Sequence, residues 1–324
     1  MDLYSLFDME CPPRLTEYLN YLVTVKNSPV STVKNYKSDL KMFLRFIKKI
    51  RTKSKEDISL IDISDVDDMF LQKIMLNELY MFTTFLTIEK KVAQPTRARK
   101  IIAIRSFFKY LNTKAKVLTN NVALELEIPK KEKRNPVYLT LDESKTLLAA
   151  PKGRQKQRDY CIITLFLNCG LRLSELVGIN ISNIKQDTLT VIGKGNKERT
   201  VYLNDACIKA INDYLEVREM PKPGHEDALF LSQQKQRISD RAVQELIGKH
   251  FKEANITGKK YTPHKLRHTA ATLLYKYANV DIRTLKEILG HEDVSTTQIY
   301  THVDDESLRE AVKANPLANI EGEQ

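Results

Sequence analysis

Thr262-Pro263-His264-Lys265-Leu266-Arg267-His268 is the most informative stretch of this 324-residue chain. Thr262 suits an N-cap and Pro263 a first helical residue, so His264 and Arg267 fall in the first turn, three apart on one face. Free backbone N–H groups and the helix dipole favour an anion there. In Gly170-Leu171-Arg172-Leu173-Ser174-Glu175 an arginine follows a glycine turn, and a glutamate three residues on can pair with and orient its guanidinium. Leu289-Gly290-His291 puts a histidine just past a glycine that would end a helix. Thr296-Thr297-Gln298-Ile299-Tyr300-Thr301-His302 sets a tyrosine among polar residues. Lys194 lies between two β-branched runs, Thr188 to Ile192 and Arg199 to Leu203, at the tip or strand end of a hairpin. Cations and imidazoles of this kind suit phosphate chemistry.

Other chemistries find less support. Gly193-Lys194-Gly195 has neither the Walker nor the dinucleotide spacing, so ATP and NAD sites are not expected. His264 and His268 lie four apart like zinc ligands, but Lys265 and Arg267 stand between them, and a core or hydrogen-bonded role fits His268 better. The acids Asp62, Asp65, Asp67 and Asp68 lack the glycine and final glutamate of a calcium loop and suit a first helical turn instead. Cys11, Cys161, Cys169 and Cys207 show no CxxC spacing and read as buried free thiols.

The elements that must hold these residues divide the chain in two. Residues 1–128 are expected to form an all-helical unit, residues 129–136 a linker, and residues 137–324 a mostly helical unit with a small antiparallel β-sheet. The fold class is mainly α. Helix starts are marked by Ser31 and Thr32 after Pro29, by Ser64 ahead of Asp65, and by Thr96 after Pro95. The linker PKKEKRNP is short, charged and closed by prolines. Beyond it, Thr140 with Glu143 forms a capping box. Helices are expected over 205–218, 240–254, 263–277, 282–289 and 305–313.

Charge adds a partner. The net charge is +11, yet residues 34–55 carry nine basic residues against one acid and residues 90–116 nine against none, leaving the remainder at −6. Val33, Tyr36, Leu40, Phe43 and Ile47 repeat at helical spacing, and so do Lys34, Lys37, Lys41, Arg45 and Lys48, offset by one residue except at Arg45, where the offset is two. The basic stripe is therefore rotated by about 100° from the apolar one. Ile101, Ile104, Phe107, Phe108 and Leu111 repeat the apolar stripe, with Arg97, Arg105 and Lys109 elsewhere on the same helix. Two basic helices read as a clamp on a polyanion, with the aromatic residues in the core. The longest apolar run, 160–169, is too short to span a bilayer, and the acidic first ten residues do not resemble an export signal, so a cytoplasmic protein without membrane contact is expected.

Taken together, Arg172, Lys194, His264-x-x-Arg267, His291 and Tyr300, in that order and with their flanking residues, resemble the tyrosine site-specific recombinases and phage-type integrases, most of all the Xer recombinases. Arg105-Ser106-Phe107-Phe108 resembles that family's core-binding domain. The resemblance implies a site-specific DNA recombinase that needs no cofactor or metal. Tyr300 would attack a scissile phosphate to give a 3′-phosphotyrosyl link. Arg172 and Arg267 would hold the nonbridging oxygens, Lys194 would protonate the leaving oxygen, and His264 would serve as base. His291 would bond the phosphate, and Glu175 would support Arg172. Lys34, Lys37, Lys41, Arg45, Arg97 and Arg105 would contact DNA. The implied partner is double-stranded DNA with specific recombination sites, bound by a homotetramer or heterotetramer on paired sites, the protein being a monomer off DNA. Asn168-Cys169 stands where the family often has Thr, and Asn315-Pro316-Leu317-Ala318 resembles its closing segment. The role is either chromosome dimer resolution or mobile-element integration and excision. The competing readings are a DNA-binding accessory protein without cleavage activity, a type IB topoisomerase, and a metal hydrolase built on His264 and His268.

Overall fold

The computed structural model describes residues 11–128, 137–193, 197–257, 261–278 and 280–290. The chain divides into two compact units at residues 133/134. The expected linker, Lys194, His291, Tyr300 and the helix expected over 305–313 lie outside the described residues.

The first unit is helical throughout. Its helices are α1 (Pro13–Thr24), α2 (Val30–Thr52), α3 (Asp68–Gln72), α4 (Leu76–Ile88) and α5 (Gln94–Thr113). Prolines set three of the starts: Pro12 and Pro29 occupy N-cap positions with extended ψ, and Pro95 lies in the first turn of α5. Thus α2 and α5 begin slightly ahead of the expected Ser31 and Thr96. The helix expected from Ser64 starts instead at Asp68, because Asp67 accepts the Phe70 N–H as its N-cap. Phe43, Phe107 and Phe108 are core residues, with Tyr36 packed against them.

The second unit contains α6 (Leu141–Ala149), α7 (Lys156–Cys169), α8 (Leu173–Val177), α9 (Asp205–Val217), α10 (Asp240–Glu253), α11 (Pro263–Tyr277) and α12 (Ile282–Leu289). The Thr140–Glu143 capping box is formed in both directions, at 3.1 and 2.7 Å. The antiparallel sheet has three strands in the order β1 (Ile184–Lys185), β2 (Thr188–Ile192) and β3 (Glu198–Tyr202). β1 was not anticipated; at two residues it is too short to show a period. Leu189 pairs with Val201 and Val191 with Arg199, so these four share one face. Helix α7, buried along most of its length, is the axis of this unit, with α9 and α11 packed against it. All four cysteines are buried and form no disulfide. No helix among the described residues is long and apolar enough to cross a membrane.

Candidate active site and nucleic-acid interface

Helix α7 ends at Cys169 because Gly170 adopts φ +58°, a left-handed conformation that reverses the chain. Arg172 follows as the N-cap residue of α8. The Glu175 carboxylate accepts from the Arg172 backbone N–H at 2.8 Å and from Arg172 Nη1 at 2.7 Å, so one carboxylate fixes both the turn and the guanidinium. Arg172 Nη2 donates to the Gly290 carbonyl at 2.7 Å. These bonds use two of five guanidinium donors, and a third of the side chain stays exposed.

Helix α11 begins at Pro263 as expected, although the Thr262 side chain makes no capping bond. Arg267 is buried one turn in, where Nη1 donates to the Gly170 carbonyl and Nη2 to the Leu289 carbonyl, both at 2.5 Å. Arg267 Nη1 also lies 4.0 Å from Glu175 Oε2. Two arginines 95 residues apart in sequence thus meet successive carbonyls, Leu289 and Gly290, where α12 ends. Gly290 stops that helix at φ +62°, one residue ahead of His291.

His264 is exposed at the start of α11, and its Nε2 lies 3.0 Å from His268 Nε2. One Nε2 therefore donates and the other accepts. Desolvation by neighbouring atoms, followed by the charges of Arg267, Arg172 and Lys265, lowers the His264 pKa. Burial, then His264, Arg267 and Lys265, pushes His268 down to about 4. Both rings are neutral at neutral pH, which leaves an imidazole able to accept a proton. The expected hydrogen-bonded role of His268 is what the geometry gives. Among the described residues, no group of three or more His, Cys, Asp or Glu side chains could hold a metal ion.

The sequence reading missed Arg199. It lies on the inner face of β3, where Nη2 meets Glu175 Oε2 at 2.9 Å, Nε meets Oε1 at 3.4 Å, and Nη1 donates to the Ile288 carbonyl at 2.7 Å. Its signal was strand alternation: Arg199 shares a face with the buried Val201, and a charge on that face needs a partner. Burial alone would raise the Glu175 pKa, but the bonds and charge of Arg199, followed by those of Arg172, leave it below the ordinary carboxylate value. Glu175 is thus a buried anion shared by arginines.

In the first unit, Lys34, Lys37, Lys41 and Arg45 line one groove of about 550 Å³ on α2, together with Ser38, Met42, Ile58 and Ser59. Arg45 Nε donates to the Ile61 carbonyl at 3.1 Å, and the fifth cation of the expected row, Lys48, pairs with Asp65 at 2.5 Å. Arg97 donates to Thr87 Oγ1 at 2.6 Å and Arg105 to the Leu126 carbonyl at 3.4 Å, so both are braced against their own unit. Part of the basic surplus is internal: Asp39, 1% exposed, binds both Arg99 and Lys100. The acidic patch is structural, with Asp68 on Arg14 and Asp62 accepting from Ser64.

The pattern of the phage integrase family matches residues 137–307, and that of the phage integrase N-terminal SAM-like domain matches residues 15–114. The chain is 59% identical over 314 residues to a tyrosine recombinase XerC of Caldanaerobacter subterraneus subsp. tengcongensis, covering 96% of this chain and 88% of the relative. It is 35% identical to a tyrosine recombinase XerC of Natranaerobius thermophilus, covering 94% of this chain and 99% of the relative. In fold it is similar to the XerH site-specific recombinase bound to difH substrate in a pre-cleavage complex, with TM-score 0.67 and 22% identity over 93% of this chain and 84% of that one.

Proposed function

Since the chain belongs to the phage integrase family and is a tyrosine recombinase, we propose that it cuts and rejoins DNA at specific sites through a 3′-phosphotyrosyl intermediate on Tyr300. The Tyr300 oxygen attacks the scissile phosphorus as its proton passes to His264, which is neutral and able to receive it. Arg172 and Arg267 hold the nonbridging oxygens as charge builds on them. The bond to the 5′ oxygen breaks, Lys194 supplies that oxygen's proton, and His291 donates a hydrogen bond to the phosphate. The new phosphodiester on tyrosine keeps the bond energy, so a 5′-hydroxyl from the partner strand reverses the step without ATP. Side chains supply every charge used, and neither a metal nor another cofactor takes part.

The observation that carries this reading is the junction of Arg172 and Arg267 at the last carbonyls of α12, with Glu175 between the two guanidinium groups. It gathers residues from three separate segments at the point where the chain continues into His291. The α2 groove supports a DNA partner, since its cations follow a helix face as phosphates follow a strand. Arg97 and Arg105 add charge from α5. Residues 1–128 serve as the DNA-clamping domain, 129–136 as the linker and 137–324 as the catalytic domain. The protein acts in the cytoplasm as a monomer that assembles into a tetramer on two sites, either alone or with a second recombinase. Its task is chromosome dimer resolution or mobile-element integration and excision.

The test is incubation with nicked suicide DNA carrying candidate recombination sites, with EDTA and without ATP, followed by denaturing gels. Wild type is expected to form a covalent adduct and Tyr300→Phe none. Binding without an adduct would favour a DNA-binding accessory protein, and an adduct on Tyr300→Phe would overturn the choice of nucleophile. Deleting residues 305–324 is expected to abolish synapsis and leave single-site binding intact.

A further inference from the structure

We propose that Arg199, on the catalytic reading above, is a positioning residue that sets the Arg172–Glu175 clamp, the β2–β3 hairpin and the end of α12 in one fixed arrangement. Its planar guanidinium meets three acceptors from two elements: both oxygens of Glu175 on α8 and the Ile288 carbonyl on α12. Its own backbone belongs to β3, paired with Val191. The hairpin closes two residues later with Gly193 N–H donating to the Lys197 carbonyl at 2.7 Å. A Cβ at Gly193 would lie 3.6 Å from Glu175 Oε1 and 3.9 Å from Arg172 Nη1, so the base of the hairpin rests against the clamp. Lys194 is the next residue.

The fit on the α12 side is equally close. A Cβ at Gly290 would fall 2.6 Å from Arg199 Cδ and 2.9 Å from its Nε. Arg199 therefore runs through the space that a side chain at 290 would fill, directly beneath the carbonyl that receives Arg172. A lysine, with one ammonium, cannot bond both Glu175 oxygens in a plane while also reaching Ile288. Glu175 is faced by Arg172 from α8, Arg199 from β3 and Arg267 from α11, while α12 offers backbone carbonyls. Arg199 exerts the strongest downward pull on the Glu175 pKa. Its removal takes away a geometric tie and lets Glu175 take up a proton at higher pH, which weakens its hold on Arg172.

The experiment uses the full chain and measures single-turnover adduct formation on saturating nicked DNA with candidate sites, from pH 5 to 9. DNA affinity and thermal unfolding are measured on the same samples, for wild type, Arg199→Ala, Arg199→Lys, Glu175→Gln and the Arg199→Ala/Glu175→Gln double variant. Arg199→Ala is expected to bind DNA within about threefold of wild type and to form adduct on the order of 10²-fold more slowly, the scale of a small misplacement of reacting groups. The acid limb of its rate profile moves to higher pH. Arg199→Lys recovers only part of the rate, and the double variant is no slower than the slower single variant. The proposal is overturned if Arg199→Ala cleaves bound DNA within threefold of wild type. It is also overturned if the rate falls only with the folded fraction, the acid limb unmoved. Should the alanine variant not fold, folded Arg199→Lys with a wild-type rate and profile overturns it as well. Wild type that binds DNA yet forms no adduct defeats the underlying catalytic reading instead, a result distinct from all of these.

Discussion

Two buried carboxylates organise the two units, and they use their cations differently. Asp39 on α2 binds Arg99 and Lys100 of α5; Lys100 is almost fully enclosed, while Arg99 keeps over a third of its side chain exposed. Glu175 on α8 draws Arg172, Arg199 and Arg267 from three segments, and each of these arginines also donates to a backbone carbonyl at the end of α12. The first cluster spends its charge on joining helices. The second ties its cations to the end of α12 as well as to the carboxylate. The same type of ion pair is thus cohesion in one place and preorganisation in the other, and the difference lies in what the cations reach besides the carboxylate.

The comparison is sharpest when the anions are removed. Glu175→Gln is expected to slow covalent adduct formation by about 10² to 10³-fold, the range for losing one preorganised transition-state donor. Asp39→Asn should instead lower stability by about 3 to 5 kcal/mol, the cost of breaking a buried pair, in chemical denaturation, with the adduct rate on bound DNA nearly unchanged. A rate loss for Asp39→Asn matching that for Glu175→Gln would dissolve the distinction. Arg172→Ala should slow cleavage of bound DNA about 10²-fold or more, read as the rate of covalent adduct formation.

Protonation gives a smaller effect with a definite sign. His264 and His268 have lowered pKa values when folded, so they bind fewer protons than in the unfolded chain over the same pH range. Their contribution is flat above the ordinary histidine value of about 6.5 and becomes destabilising as pH falls from there towards 4. Thermal unfolding across this window should show a falling midpoint, with a gentler slope in His268→Asn. At the low end of the scale, replacing Lys34, Lys37 or Lys41 by Ala should each reduce the slope of log binding constant against log salt by about 0.9. The cleavage rate at saturating DNA should hold.

What could be read in advance follows the same divide. Local rules were legible: β2 spans Thr188–Ile192 and α11 spans Pro263–Tyr277 as expected, because β-branched runs and a proline at the first turn act within a few residues. The Arg172–Glu175 pair was legible too, since both partners lie in one turn. Arg199 was not, because its carboxylate lies 24 residues back and its carbonyl 89 residues ahead. Asp65 pairing with Lys48 and Asp67 capping α3 escaped for a similar reason: several acids in one loop compete, and tertiary packing decides among them. The expected residues Arg172, His264, Arg267 and Glu175 come together, while Lys194, His291 and Tyr300 belong to segments outside the described residues.

Gly170 and Gly290 carry a practical consequence for anyone mapping this protein by mutation. Both have positive φ, and a methyl group at Gly170 would meet Leu289 Cδ2 at 2.8 Å while one at Gly290 would meet Arg199. Alanine substitution removes side-chain atoms at most residue types, but at these two glycines it adds a carbon to occupied space. A lost activity at either would look like a residue that handles DNA, although the defect would be that of a spacer made too thick.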